Sequence, residues 1–184
     1  MLDFDAEKVI SKKNFTNATP KAGQHTDTNT WLTPQWIIDG LGGHEQFDLD
    51  PCGYKHPEKG VIIRTAKEIY TLQDAQDGLQ LPWFGNVFLN FPYSESKAWL
   101  EKMSRHGKGI VLCFARTETK AWQENVVKAT GILFVNKRIS FLNKEGNIQS
   151  NGNAPSALIA FGEGNFYKLK LFREQHGGIL TQII

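Results

Sequence analysis

Residues 86–106 read NVFLNFPYSESKAWLEKMSRH. Val87, Phe88 and Leu89 are consecutive apolar residues, which predicts a strand covered on both faces. Pro92 stops it. Ser94 is placed to cap a helix reaching about His106, with Trp99, Leu100 and Met103 on one face. The same order recurs downstream. GIVLCFA at 109–115 predicts another buried strand, and Thr117 caps a helix over 118–129 with Ala121, Trp122, Val126 and Ala129 at helical spacing. Upstream, Thr33 is a plausible N-cap with Pro34 in the first turn. Trp36, Ile37, Ile38 and Leu41 form an apolar face, and Gly42-Gly43 ends the helix. QFDLD at 46–50 predicts a short strand ending at Pro51. Residues 52–82 are the least regular, with room for one short strand or helix. Further strands are expected at Ile132–Val135, Ile139–Leu142 and Ser156–Phe161. Residues 143–153 are expected as a polar loop, and FYKLKLF at 166–172 as a last strand. Strands alternating with helices imply an α/β fold: a mostly parallel sheet with helices on both faces and an antiparallel edge. Ligands in such sheets sit at the carboxyl ends of strands. That rule selects Asp50-Pro51, Asn90–Tyr93 and Ala115–Thr117.

The chain has 184 residues, 40% of them hydrophobic and 22% charged. That length suits one domain with its own core. We expect an arm over 1–29, a domain over 30–170 and a tail over 171–184. Two cysteines, Cys52 and Cys113, exclude a disulfide-built scaffold. No apolar run approaches the ~20 residues that cross a bilayer. The charged start MLDFDAEKVISKK does not resemble a secretory leader, so the expected compartment is the cytoplasm, with no membrane partner. The net charge of +2 is too small to mark a nucleic-acid binder by itself.

Asn90-Phe91-Pro92-Tyr93 is the segment with chemistry in it. A buried strand ends in a side-chain amide, then a turn, then an aromatic ring. Such a corner can hold a planar amine. The Asn90 amide oxygen accepts one N–H, the carbonyl of residue 91 accepts the other, and the Tyr93 ring stacks on the plane. The same residues also suit an ordinary strand-to-helix turn with proline as punctuation.

These four residues resemble the (Asn/Asp/Ser)-Pro-Pro-(Tyr/Phe) motif of amino-methyltransferases that use S-adenosylmethionine. The resemblance extends through TWLTP at 30–34 with WIIDGLG at 36–42, FDLDPC at 47–52, and DGL at 77–79 with Trp83 after it. It continues through LNFPYS at 89–94, CFARTET at 113–119, RISF at 138–141 and APSALIAFG at 154–162. Taken in this order, over about residues 28–162, they are similar to the phage-type N6-adenine DNA methyltransferase family. The resemblance implies a Rossmann-like methyltransferase fold, S-adenosylmethionine as cofactor, and DNA with a flipped adenine as partner. It implies a phage- or prophage-encoded protein acting in a bacterial host. Thr33 and Pro34 then correspond to the segment at the methionine end of the cofactor, and Asp50-Pro51 to the end of the first strand beside it. Asp77 corresponds to the acidic residue that binds the cofactor's adenine amino group, and Asn90, Phe91, Pro92 and Tyr93 to the catalytic corner. Phe91 stands where the family's motif has proline. It contributes its carbonyl, so Phe91→Pro is expected to leave activity unchanged or to raise it.

Other residues admit plainer roles. Trp31 and Trp83 flank the expected pocket as walls, whereas Trp36, Trp99 and Trp122 sit on helix faces as core. Arg116 and Arg138 each follow an apolar strand; they are surface residues or contacts to DNA phosphate. Asp48 and Asp50 share a strand face, but a cofactor contact by Asp50 is favoured over a paired-carboxylate site. Cys52, His44, His56 and Cys113 match no zinc spacing, so no metal is expected. Two other functions fit the same corner: methylation of another amide or amine (protein glutamine or cytosine N4), or a non-catalytic relative that binds DNA or cofactor.

Overall fold

The computed structural model describes residues 31–151 and 154–183, with side chains at 149–151 left aside. The expected arm at 1–29 lies outside the described residues. The main sheet is built from β1 (Leu49–Gly53), β2 (Glu68–Thr71), β3 (Val87–Leu89), β4 (Gly109–Phe114), β5 (Gly131–Phe134), β8 (Ser156–Phe161) and β9 (Ile179–Gln182). Their order is β2-β1-β3-β4-β8-β5-β9. β1 to β4 run parallel. β8 enters antiparallel between β4 and β5, and β9 lies antiparallel along β5. β6 (Ser140–Leu142) and β7 (Ile148–Asn151) form a separate hairpin.

Four α-helices cover the sheet among the described residues: α1 (Gln35–Gly40), α2 (Ser96–His106), α3 (Lys120–Asn125) and α4 (Glu163–His176). Period-two alternation along the strands divides the core. Leu49, Val87, Leu89, Val111 and Ile159 face α2 and α3, with Trp99, Leu100, Met103 and Trp122. Phe88, Ile110, Leu112 and Leu158 face α1 and α4, with Ile37, Ile38, Phe166, Leu169 and Phe172. This is a Rossmann-like methyltransferase architecture, mostly parallel with antiparallel strands at one side.

Several local expectations are corrected. FYKLKLF is helical, not a strand. Its buried apolar residues, Phe166, Leu169 and Phe172, recur every three positions, and Gly162 and Gly177 bound the helix. Residues 171–182 complete α4 and add β9 to the sheet. The loop expected at 143–153 contains β7. The Asn143 side-chain oxygen accepts from the N–H groups of Glu145 and Asn147, and Gly146 takes a φ of 85°, which closes a hairpin. The strand at 139–142 pairs with β7 and bridges to Leu32 instead of joining the main sheet. The irregular stretch 52–82 holds β2 and a 3-10 turn at Leu72–Asp74.

The caps differ as well. Pro34 is the N-cap of α1, and α2 begins at Ser96 after a 3-10 turn, so Ser94 does not cap it. Thr119, not Thr117, caps α3, its hydroxyl accepting from Trp122 N–H at 3.3 Å.

The topology places a crevice. From β1 the chain goes to β2 on one side and then crosses to β3 on the other. β1 and β3 share the register pair Leu49↔Val87 and then diverge. Pro51, lacking an N–H, stands where the pairing ends. Such a switch point is where open α/β sheets bind ligands.

Candidate active site

A cavity of about 350 Å³ occupies this crevice. Its walls bring together Trp31, Pro51, Asp77, Asn90, Phe91 and Pro92, six of the residues selected from the sequence. Thr33 and Asp50 line a small adjoining pocket of about 30 Å³ that shares Trp31, Cys52 and Asn90 with the larger one. Pro34 is buried at the start of α1 and lines neither.

Asn90 ends β3 with its amide held in one orientation. Nδ2 donates to the Trp31 carbonyl at 2.7 Å and to the Thr33 hydroxyl at 3.0 Å. A backbone carbonyl only accepts, so the NH2 group must face it. Oδ1 is left without a partner among the described residues, on a side chain that lines both cavities. This accounts for Thr33: its hydroxyl orients Asn90 instead of capping α1.

Asp50 lies beneath the crevice at 3% exposure. The Thr65 hydroxyl donates to one carboxylate oxygen, and Cys52 N–H donates to the other at 2.9 Å. Burial outweighs these bonds and pushes its pKa up to about 6. Asp48, by contrast, is half-exposed. It accepts from Asn86 N–H at 2.7 Å and pairs with Lys67 at 3.0 Å, which hold its pKa below the ordinary value. The two carboxylates therefore do not form a paired site. Burial pushes both thiols up, Cys113 to about 12, so neither is a ready thiolate. Among the described residues no group of three His, Cys, Asp or Glu is placed to hold a metal ion.

Asp77 sits on the loop after β2. Its Oδ1 accepts from Leu79 N–H at 2.9 Å. Lys102, on α2, donates to the carbonyls of Gly78 at 3.0 Å, Leu79 at 3.0 Å and Leu81 at 2.6 Å. Burial holds this ammonium below its ordinary pKa, and the nearby Asp77 opposes that shift. Trp83 does not line the cavity. Its Nε1 donates to Gly78 O at 2.7 Å and its ring stacks on Trp99, at 6.2 Å between centroids. Trp99 is in the core, as expected, and also lines the cavity; its Nε1 is buried without a partner among the described residues. Tyr70, in β2, was missed from the sequence because nothing local marks β2 as a strand beside the site; it is another wall.

Tyr93 faces a second cavity of about 400 Å³, shared with Phe91, Phe114, Arg116, Thr119 and Trp122. Its ring stacks on Phe114, 4.0 Å between centroids and 10° from parallel, and its hydroxyl is buried without a partner among the described residues. Phe91 is 3% exposed and meets Tyr93 edge-on, so its side chain belongs to the core as well as its carbonyl to the corner. Arg116 is exposed on the rim of this cavity; Arg138 is exposed and lines neither cavity.

No curated protein matches the chain. A family model described as DNA N-6-adenine-methyltransferase (Dam) matches residues 20–170 of the 184. The match spans the crevice, both cavities and the Asn-Phe-Pro-Tyr corner, and the chain belongs to the DNA N-6-adenine-methyltransferase (Dam) family.

Proposed function

We propose that the chain methylates the exocyclic N6 amine of adenine in DNA, with S-adenosylmethionine held in the switch-point cavity. The observation that carries this reading is the Asn90 amide, whose donors are both engaged and whose acceptor is left over beside the cavity. The cavity also suits the cofactor chemically. It offers an acceptor on Asp77 for an adenine amino group and aromatic walls in Trp31, Tyr70 and Trp99. Pro51 closes it from β1, and Thr33 with Asp50 borders it next to Asn90. When bound, S-adenosylmethionine supplies a methyl group on a sulfonium, activated for displacement.

The residues of the corner prepare the acceptor. Asn90 Oδ1 and the carbonyl of residue 91 each accept one N–H of the target amine. These bonds draw the nitrogen away from conjugation with the ring and free its lone pair. Because the amine becomes strongly acidic once methylated, no base is needed before attack; positioning and electrostatics suffice. This fits a corner with an amide where a hydrolase would need a triad. A base within a duplex is out of reach and must be flipped out, at a cost of about a few kcal/mol. Tyr93 offsets part of that cost by stacking on the base. Arg116 and Arg138 contact phosphate and hold the duplex in register.

Nucleoside mass spectrometry of DNA incubated with the chain and S-adenosylmethionine tests this directly, and N6-methyladenine is the expected product. Asn90→Ala should lower turnover by roughly a hundredfold or more, since its contact matters most as the nitrogen pyramidalises. Cofactor affinity should stay nearly unchanged. Methyl groups on cytosine or on protein, with none on adenine, would refute the reading.

A further inference from the structure

The loop carrying Asp77 has no place in the sheet, yet it forms one wall of the cavity. Two groups outside the cavity hold it. Lys102 Nζ donates to the carbonyls of Gly78, Leu79 and Leu81, which uses all three N–H groups of the ammonium. The same Nζ lies 5.2 Å from the centroid of the Trp83 ring, and Trp83 Nε1 shares the Gly78 carbonyl. On the other side Gly78 presses on β1: a Cβ there would lie 1.8 Å from the Pro51 carbonyl oxygen. The loop is thus clamped between α2 and the end of β1. The Asp77 carboxylate is tied to this turn through Leu79 N–H.

We propose that Lys102 is the positioning residue for purine recognition: it sets the Asp77 carboxylate at the place where an exocyclic amino group of the ligand is read. The inference rests on the cofactor reading above. Lys102 does not line the cavity, so it acts on the ligand through the loop and through its charge beside Asp77. A staple that served only stability would change the melting temperature and leave ligand selectivity alone.

The test is calorimetry on the full chain with two probes, S-adenosylhomocysteine and its counterpart carrying hypoxanthine in place of adenine. The wild type should prefer the adenine ligand by roughly tenfold or more, as expected for a hydrogen bond to a charged group. Asp77→Asn should lose most of that preference. Lys102→Met should lose it to a similar degree, Lys102→Gln in part, and Lys102→Arg should retain it. In the double variant Asp77→Asn/Lys102→Met the two losses should not add. Wild-type selectivity in Lys102→Met and Lys102→Gln, or additive losses, would overturn the role of Lys102 while leaving Asp77 in place. A wild type that does not distinguish the two ligands would overturn the cofactor reading and the inference together.

Discussion

At the scale of single residues, Asp50 sets stability against ionisation. Its pKa of about 6 lies above the ordinary carboxylate value of 3.8, so the folded state holds the proton more tightly than the unfolded chain. That contribution is complete below pH 4 and lost as pH rises through 6. The ionised carboxylate then costs on the order of 3 kcal/mol. Asp50→Asn removes the titration, and the Thr65 hydroxyl can turn to accept from the new NH2. The stability gap between Asp50→Asn and wild type should therefore widen in favour of the variant from pH 4 to pH 7, as read by urea denaturation. Phe91 alters an expectation made from its carbonyl alone. Its ring is buried against Tyr93 and the core, so Phe91→Pro should lose about 3–5 kcal/mol of stability, the range for deleting a buried phenylalanine. A thermal melt within 2 °C of wild type would contradict that. The residue types of the corner were legible in the sequence because a strand, a turn and an aromatic follow one another locally. What orients Asn90 was not legible: its partners, Trp31 and Thr33, are 59 and 57 positions away.

At the scale of elements, α4 shows why a short alternating run is ambiguous. In FYKLKLF, Leu169 and Leu171 are two apart and would share one face of a strand. In the helix they separate: Leu169 is 0% exposed and Leu171 is 38% exposed. Leu169→Ala should therefore cost about 2–5 kcal/mol, and Leu171→Ala no more than about 0.5 kcal/mol. Equal costs in chemical denaturation would favour the strand. The buried strands β3, β4 and β8 were legible because each is a dense apolar run between turn residues. β2 was hidden because EIYT is no continuous apolar run: Glu68 is exposed and Thr71 is polar. β7 was hidden because the polar residues around it, Asn143 above all, close the hairpin through side-chain bonds that composition reads as loop. The expected helix starts fall one residue early at α1, where the Thr33 hydroxyl has another use, one early at α2, where a 3-10 turn comes first, and two early at α3.

At the scale of the whole molecule, the mostly parallel sheet was legible from strands alternating with helices, but its strand order was not, and the reversed entry of β8 depends on pairings more than forty residues apart. The crevice is also the join with the fewest registered pairs in the main sheet. β2 and β1 lie on one side of it and the other five strands on the other, and only Leu49↔Val87 registers across it. A ligand seated there would touch Pro51 and Asp77 from the smaller side and Asn90 and Phe91 from the larger. At a hundredfold excess over its dissociation constant it would add about 2.7 kcal/mol to stability. Amide hydrogen exchange with S-adenosylhomocysteine present should slow on both sides together, at Cys52-Gly53 and at Asn90-Phe91; slowing confined to one side would refute this. The molecule is then a masonry of two unequal blocks joined by a short run of bonded backbone, and a ligand seated in the crevice would be its mortar. On the function proposed above that mortar is the methyl donor, and its loss would loosen the joint as well as stop the reaction, so each empty interval between turnovers would also be the interval in which the protein is easiest to open.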